Sequence, residues 1–462
     1  MGGVMGTAFG MFDVVVVGGG LAGWIAAVTA LESGARTALV ERSPKPEGEG
    51  NSVISGGVLH ANLGDPQSPP AEMIEKITRS TGGEALPVVV AAWGTTAERT
   101  IEWIEAHGGD LSGGSAQMYR AKVFAPVKPI VPGLNGAPYG TAVFLRQLAE
   151  RFRAAGGTVV QPARAIGLAR TAGGAWQLTL ADGGTLDTRA VVFADGGFQA
   201  NPELVKRHIG TDRLRLRATQ GSVGDALQMG LANGAATAQM RGFYGHMLHR
   251  EAVTRDDLWP YPILDVLGTV SLIVGPDGRR FVDEGISGVR STNGIAWSAT
   301  PDGCWLIFDD AAWNGEGRIG ETPCNPYLAD KGVGPVSAPT IEALAAAIGV
   351  DPHHLADAVA QLRADPARSQ PPRSGRVSLD QPPYHALPIV AGISFTFGGL
   401  KIDGGARVLD TADAPIDGLY AAGGTAAGLH GGPDVGYAGG LLEAAVFGLI
   451  AGEHAGRTAA RP

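Results

Sequence analysis

The hydrophobic residues at the start of the chain first form a continuous run and then recur at helical spacing. Residues 13–17 read DVVVV, a short β-branched run that predicts a strand buried on both faces. After the glycines of 18–23, apolar residues recur at helical spacing up to Gly34, at Leu21, Trp24, Ile25, Val28 and Leu31. Residues 37–40 then predict a second strand that ends at Glu41. Together these segments predict a strand, helix, strand unit.

The same spacing rules predict further elements along the chain. Helical spacing covers 71–80, 88–106 and 144–154, and strands are expected at 157–160, 176–180 and 190–193. Glycine-tight turns at 194–198 and 221–226 follow, the second opening a helix that ends near Gly234. A final helix is expected over 441–454. Alternating strands and helices predict an α/β fold.

The glycines at 18–23 form a G-x-G-x-x-G motif in an informative context. The motif follows a predicted strand, opens a predicted helix, and has an acidic residue, Glu41, about twenty residues further on. Such glycines let the backbone approach a pyrophosphate, while the helix N-terminus stabilises its charge and the carboxylate binds ribose hydroxyls. The motif predicts a Rossmann-like dinucleotide site. A glycine-rich turn that binds nothing is the alternative.

Composition narrows the class of protein. The chain has 71 glycines among 462 residues, yet 44% of its residues are hydrophobic, so a large core is expected rather than a low-complexity polymer. A net charge of −9 argues against nucleic acid as a partner. Two cysteines cannot build a four-thiolate cluster or a disulfide framework, which favours the cytoplasm. No metal site and no membrane-spanning stretch are predicted.

Four further motifs, in order, carry a resemblance to a known family. They are GNSVISGG at 50–57, ADGG at 194–197, GRRFVDE at 278–284 and LYAAG at 419–423. The chain thus resembles the flavoprotein family of fumarate reductase and succinate dehydrogenase, most closely its tricarballylate dehydrogenase-like and 3-ketosteroid dehydrogenase-like members. The resemblance implies a Rossmann-like FAD-binding domain with an inserted α+β capping domain. Its expected bounds are 12–250 and 386–462 for the FAD-binding domain, and 251–385 for the cap.

The glycine motif and the resemblance together predict the residues that bind FAD. Gly424 stands where the family often has a glutamate that holds the ribityl chain, so that hydrogen bond must come from elsewhere. Asn51 lies near the histidine of covalently flavinylated members, so FAD is expected to bind non-covalently. The predicted cofactor-binding residues are Gly18, Gly20, Leu21, Ala22, Gly23, Glu41, Arg42, Asn51, Ser52, Ser55, Gly56, Gly57, Ala165, Ala194, Gly196, Gly197, Asp225, Gly423, Gly424, Gly439, Leu441 and Leu442.

The resemblance also implies the reaction, in which hydride moves between a substrate carbon and flavin N5 across a C–C bond. The protein must then supply an acid or base and a group that polarises an activating carboxylate or carbonyl. The candidates are Arg290, as an anion anchor or proton carrier, with His246, Tyr244, Tyr437 and Thr396. For each, a packing or surface role is the alternative.

Substitutions within the family's motifs change the expected substrate. Phe395 replaces a histidine of the fumarate-reductase H-T-M-G-G segment, and the arginine expected after His430-Gly431 is absent. Neither fumarate nor succinate is therefore the expected substrate, and Phe395 and Phe397 favour a bulkier or less charged organic acid or enone. The alternatives are a flavin-dependent hydroxylase or oxidase, and a non-catalytic accessory flavoprotein. A small-molecule substrate and an external electron donor or acceptor are the expected partners.

Overall fold

The computed structural model describes residues 10–112, 122–133 and 139–459. The first part of the chain, up to residue 249, holds most of the main sheet. Its strands are β1 (Phe12–Val17), β2 (Thr37–Val40), β3 (Val58–Leu59), β4 (Lys122–Val123), β5 (Thr158–Val160), β6 (Ala165–Arg170), β7 (Trp176–Leu180), β8 (Thr185–Phe193), β9 (Arg215–Leu216), β10 (Thr237–Ala238) and β11 (Phe243–His249). Its helices are α1 (Leu21–Glu32), α2 (Asn51–Ile54), α3 (Pro70–Ser80), α4 (Pro87–Ala106), α5 (Gly140–Ala154), α6 (Pro202–Ile209) and α7 (Asp225–Ala232).

The remaining elements complete the inserted segment and the return to the first part. The helices are α8 (Asp265–Gly268), α9 (Gly288–Trp297), α10 (Asp310–Asn314), α11 (Cys324–Asp330), α12 (Ile341–Ile348), α13 (Pro352–Ala364) and α14 (Gly440–Ala459). The strands are β12 (Leu272–Val274), β13 (Trp305–Asp309), β14 (Val336–Ala338), β15 (Tyr384–Thr396), β16 (Gly399–Lys401), β17 (Arg407–Leu409), β18 (Pro415–Ala421) and β19 (Ala426–Ala427).

The main sheet has the strand order β17-β18-β8-β1-β2-β5, with β6 and β7 continuing from β8. Strand β1 lies parallel to both β2 and β8, and β18 lies parallel to β8. All four residues of β2 are buried, as expected for a strand covered on both faces. The predicted strand, helix, strand unit is confirmed, and the carboxyl ends of β1, β8 and β18 meet at one edge.

Helices α1 and α14 lie against each other with very little space between them. A Cβ added to Gly448 or Gly452 of α14 would lie 2.6 Å from a backbone oxygen of α1, that of Ala22 or Ala26 respectively. Only small residues permit two helix backbones to approach this closely. The contact holds the glycine-rich segment before α14 beside the glycine motif before α1.

The inserted segment has a small core of its own, formed mainly by β12 to β14, α12 and α13 and including Leu272, Ile307, Leu344 and Leu355. Next to it lies a buried ion pair: Arg280 donates to both carboxylate oxygens of Glu284, at 2.6 and 3.0 Å. Both side chains are almost fully shielded from solvent, and Arg373 lies 3.6 Å from the same carboxylate. The predicted cap motif thus forms an internal electrostatic cluster.

Strand β15 connects the inserted segment with the FAD-binding part. Its first half pairs with β13 and its second half with β11, so the boundary expected between 385 and 386 lies within one continuous strand. The register against β11 shifts so that Ser394 is an extra residue on β15. Such a bulge turns neighbouring side chains toward a site. The domain bounds themselves stay a prediction.

Most predicted elements are found, with differences at their ends. Helix α5 begins at Gly140 rather than 144, and α14 runs to Ala459 rather than 454. In the inserted segment, helices α8 to α13 are formed by residues for which no helix was predicted. No described helix is both long enough and apolar enough to cross a membrane.

Candidate active site

The turn after β1 packs directly on the end of β8. Gly18 adopts φ +102°, and a Cβ there would lie 2.5 Å from the carbonyl oxygen of Ala194. A Cβ on Gly23 would lie 1.8 Å from the carbonyl oxygen of Gly18. These two positions exclude any side chain, and α1 therefore begins with its backbone N–H groups at the sheet edge.

Two predicted cofactor residues reach this turn from other elements. Glu41 accepts from Gly19 N at 2.6 Å and from Ser43 N at 2.7 Å, and its burial raises the pKa of the carboxyl above the ordinary value. Ser52 Oγ accepts from Leu21 N at 3.1 Å. The structure therefore brings Glu41 and Ser52 to the glycine motif, as a ribose and pyrophosphate site requires.

The segment 50–57 joins the turn to β15. Asn51 donates from Nδ2 to Ser394 O at 2.7 Å, and its Oδ1 accepts from Thr219 N at 3.1 Å. Ser55 donates to Ser52 O at 3.0 Å, and Gly57 has φ +77°. Asn51 thus connects α2 with the bulge residue of β15.

A second glycine turn, Gly196-Gly197, meets the segment that contains Gly424. A Cβ on Gly424 would lie 3.2 Å from Gly197 N, and Gly196 N donates to Thr425 Oγ1 at 3.0 Å. Asp195 accepts from Ala226 N and from Thr425 Oγ1, and burial raises the pKa of its carboxyl to about 7. The sequence indicated the missing glutamate at 424, whereas a carboxyl at Asp195 was not among the predicted cofactor residues.

Other predicted cofactor residues lie just after β2, at the start of β6 and in the first turns of α7 and α14. Arg42 donates to Gly221 O at 2.8 Å, and Asp225, the first residue of α7, is paired with Arg164 through both carboxylate oxygens. Ala165 opens β6 beside this pair. Leu441 and Leu442 belong to the first turn of α14, just after Gly439, which has φ +125°.

Beside the glycine turns lies a cluster of aromatic rings that we call the aromatic pocket. Tyr244 and Tyr437 stack with ring centroids 4.1 Å apart. Phe395 contacts both tyrosines, and Phe397 stacks on His430 at 4.7 Å. The structure thus places both phenylalanines among these rings, between β11, β15 and the start of α14, and their role as a substrate wall stays a prediction.

Two histidines of the aromatic pocket were missed in the sequence. His430 accepts from Ala438 N through Nδ1, which leaves Nε2 to donate to Glu443 Oε2 at 2.9 Å, and both side chains are buried. His60 lies with its ring 5.3 Å from that of Tyr437, and burial followed by the charge of His430 lowers the pKa of His60 to about 4. His430 belongs to a segment that the sequence analysis used only for its missing arginine, and His60 lies three residues after the 50–57 motif.

His246 forms a dyad with another residue that sequence reasoning passed over. Its Nδ1 lies 2.7 Å from Asp265 Oδ2, while Asp265 Oδ1 accepts from Met247 N. The ring of His246 also meets Tyr244 edge-on, with centroids 4.9 Å apart. The aspartate orients this imidazole toward the tyrosine pair, as carboxylates commonly orient histidines.

The remaining candidate catalytic residues are Arg290, on α9, and Thr396, at the end of β15. Arg290 lies on α9, its Nε has no hydrogen-bond partner among the described residues, and burial lowers the pKa of its guanidinium. The charge of Asp434 acts on it in the opposite direction. Thr396 is buried and accepts from Phe198 N at 3.3 Å, facing the second glycine turn rather than the aromatic pocket.

The family described as FAD binding domain matches residues 13–436. The chain belongs to this family. It is an FAD-binding oxidoreductase, and the predictions of its family, its fold class and its cofactor are confirmed.

Relatives of this flavoprotein cover most of its length. A fumarate reductase (cytochrome) from Shewanella frigidimarina is 27% identical over 479 residues, covering 96% of the chain and 77% of the relative. A 4-oxocyclohex-2-ene-1-carboxylate 5-dehydrogenase from Sinomonas cyclohexanicum is 31% identical over 308 residues, covering 58% of the chain and 51% of the relative. The solved structure of 3-ketosteroid-Δ4-(5α)-dehydrogenase from Rhodococcus jostii RHA1 has a TM-score of 0.74 at 21% identity, covering 98% of each chain.

The geometry of the flavoprotein fits FAD. Backbone contacts leave no space for a Cβ at Gly18 or Gly23, so the turn after β1 is tightly packed, and Glu41 and Ser52 converge on it. These groups would hold the dinucleotide part, and the segments at Asn51, Gly197 and Gly424 would adjoin the flavin part. Whether each predicted residue binds FAD stays a prediction.

Gly23→Ala is expected to weaken FAD binding by about 5- to 160-fold, because overpacking of this kind typically costs about 1–3 kcal/mol. The added Cβ would meet Gly18 O at 1.8 Å and displace the N-terminus of α1. Flavin absorbance per protein after gel filtration gives the measurement. Gly173→Ala is the matched control, since a Cβ there meets only Thr171, at 3.9 Å. Equal flavin content in both variants would contradict the prediction.

Proposed function

We propose that this flavoprotein adds or removes two hydrogens across the C–C bond next to a carbonyl group, in a compact and mainly apolar substrate. Oxidoreductases acting on CH–CH groups are the class to which its relatives belong, and the chain shares that class. FAD, when bound, exchanges the hydride with the substrate carbon. The residues of the aromatic pocket then have to exchange the proton and hold the carbonyl oxygen.

The observation that carries this proposal is the environment of Tyr437. Its hydroxyl oxygen accepts from Gly440 N at 3.0 Å, at the first residue of the long helix α14. An N–H donated to that oxygen, together with the positive end of the helix, stabilises negative charge on it. Tyr437 is therefore suited to take a proton from a carbon adjacent to a carbonyl, or to return one.

The environment of Tyr244 favours the protonated form of its hydroxyl. Burial raises the pKa of its hydroxyl well above the ordinary value, and the neighbouring Tyr437 acts in the same direction. Tyr244 thus stays protonated and can donate a hydrogen bond to a carbonyl oxygen as charge develops there. In this proposal Tyr244 therefore donates a hydrogen bond to the carbonyl oxygen, while Tyr437 exchanges the proton.

The walls of the aromatic pocket favour a ring-sized substrate over a small dicarboxylate. Phe395 and Phe397 present apolar rings where a dicarboxylate would need charged partners. His430 donates to Glu443 and accepts a backbone N–H, so both of its nitrogens are already engaged. A cyclic ketone or enone matches such walls, and one of the relatives is named for a cyclic enone carboxylate.

Electron transfer in this proposal depends on an external partner. Cys304 and Cys324 are both buried free thiols, and burial raises their pKa values to about 11 and about 12. Two inert thiols supply no internal electron carrier, and they suit a reducing compartment such as the cytoplasm. No observation favours a hydroxylase, an oxidase or a non-catalytic role over this reaction.

Anaerobic reduction of the bound flavin tests the proposal. The purified holoprotein with oxidised flavin is mixed with saturated cyclic ketones or succinate. The photoreduced holoprotein is mixed with unsaturated cyclic ketones or fumarate, and the flavin absorbance is followed in each case. Cyclic ketones are expected to reduce the oxidised flavin, or enones to reoxidise the reduced flavin, faster than the dicarboxylates do. A response to succinate or fumarate alone would overturn the proposal.

A further inference from the structure

Beyond Tyr244, at the end of the aromatic pocket, lies a cation that the proposed reaction does not use. Arg217 directly follows β9 and is tied to β15 by its backbone N–H, which donates to Ile393 O at 2.7 Å. Its guanidinium donates to Pro260 O and to Ser394 Oγ, and it lies over the ring of Tyr261 at 4.8 Å. All of these partners are neutral. The charge of Arg217 also acts on Tyr244, which places both groups in one electrostatic environment.

A second cation lies within electrostatic reach of the first. Lys128 donates from Nζ to Ile54 O at 2.5 Å, at the end of α2 in the segment that joins the glycine motif to β15. Burial lowers the pKa of this lysine, and the charge of Arg217 lowers it further. Hydrogen bonds also connect the two cations: Asn51 at the start of α2 donates to Ser394 O, and Arg217 donates to Ser394 Oγ. Two partly buried cations thus lie on the contact between α2 and β15, Lys128 at the end of α2 and Arg217 at Ser394, next to Phe395.

These two cations have no acidic partner in the part of the chain that the structure describes. The ion pairs among residues 10–112, 122–133 and 139–459 include neither Arg217 nor Lys128, although neighbouring Arg213 and Arg215 each pair with an aspartate. The segments 113–121 and 134–138 contain no aspartate or glutamate in their sequence. Neighbouring uncompensated cations are unfavourable in a partly desolvated cleft, so an anion from outside the chain would stabilise them.

We propose that Arg217 and Lys128 bind a carboxylate group of the substrate, at the end of the aromatic pocket nearest Tyr244. This inference rests on the proposed function and narrows its substrate class to a ring-sized ketone or enone that carries one carboxylate. Arg217 offers a planar pair of donors that suits a carboxylate, and Lys128 adds a point charge. The two cations act as specificity-determining residues, while the tyrosine pair carries the proton transfer.

Ligand titration of the holoprotein tests this assignment independently of turnover. Benzoate, phenylacetate and 3-phenylpropanoate are each compared with their primary amides, and the shift of the flavin absorption spectrum reports binding. At least one carboxylate is expected to bind about tenfold or more tightly than its amide, because hydrogen bonds to charged groups are stronger than neutral ones. Arg217→Gln and Lys128→Gln are each expected to lower carboxylate affinity by about 10- to 100-fold and to leave amide affinity unchanged.

Controls separate this result from misfolding and from a cofactor role. Arg213→Gln removes an exposed arginine four residues away and should keep the preference for the carboxylate, while Arg217→Lys should restore part of it. Equal affinity for every carboxylate and its amide in the parent protein would overturn the assignment. So would an unchanged preference in the FAD-loaded Arg217→Gln variant. Loss of FAD from that variant would also overturn the assignment, because it would assign the cations to the cofactor. Failure of cyclic ketones to react with the flavin would instead count against the proposed function.

Discussion

Tyr437→Phe is expected to lower kcat by about 10²- to 10⁴-fold, the range that a positioned acid or base typically contributes. The hydroxyl oxygen of Tyr437 is the group that Gly440 N contacts at the start of α14, and phenylalanine retains the ring stacked on Tyr244 while removing that oxygen. Anaerobic single-turnover reduction of the flavin by a reactive ketone measures the step directly. FAD content should not change, because the ring and the helix stay in place.

Tyr327→Phe is the matched control for this variant. Its hydroxyl donates to Asp257 O at 2.7 Å within the inserted segment, away from the aromatic pocket, so the rate of flavin reduction should stay within about twofold of the parent. If Tyr437→Phe reduces its flavin as fast as Tyr327→Phe does, proton transfer does not pass through Tyr437. Tyr244→Phe would then be the next variant to measure.

Glu284→Gln is expected to lower the free energy of unfolding by about 3–5 kcal/mol, since it leaves buried arginines without their carboxylate. Glu284 is fully buried, accepts two hydrogen bonds from Arg280, and lies 3.6 Å from Arg373. Burial lowers the pKa of Arg373, and the charge of Glu284 opposes that shift. Denaturant unfolding followed by tryptophan fluorescence measures the change, because Trp305 and Trp313 lie in the inserted segment.

Glu251→Gln provides the comparison at the surface. Glu251 also pairs with an arginine four residues away, Arg255, but its side chain is 52% exposed. Exposed pairs of this kind contribute about 0.2–1 kcal/mol. Equal destabilisation by the two glutamine variants would show that burial does not strengthen the Arg280–Glu284 pair.

The cofactor half of the molecule was predictable because its signals are local. The strand, glycine motif and helix at 13–34 are contiguous, and each step follows from steric limits on a few neighbouring residues. Gly18 and Gly23 were assigned from spacing alone, and the structure shows the backbone oxygens that exclude a side chain at both positions. Glu41 reaches the same turn because parallel strands place their carboxyl ends at one edge.

The pocket was less predictable because its contacts join distant segments. His246 was a candidate, but its partner Asp265 lies on another element, and only the packing of α8 against β11 brings them together. His60 and His430 come from opposite ends of the chain, and nothing in either sequence segment indicates that they meet at Tyr437. Thr396 and Phe395 are adjacent in sequence, yet they face different neighbours because side chains alternate along β15.

The contact between α1 and α14 has a consequence for how the protein is made. Helix α1 leaves the ribosome more than four hundred residues before α14, and β11 precedes its partner β15 by more than a hundred. Until those later segments emerge, the side of α1 that packs on α14 and the edge of β11 that pairs with β15 stay uncovered. Long-range pairings of this kind slow folding and leave partly formed chains prone to aggregation. The nascent chain should therefore depend on chaperones until α14 closes against α1.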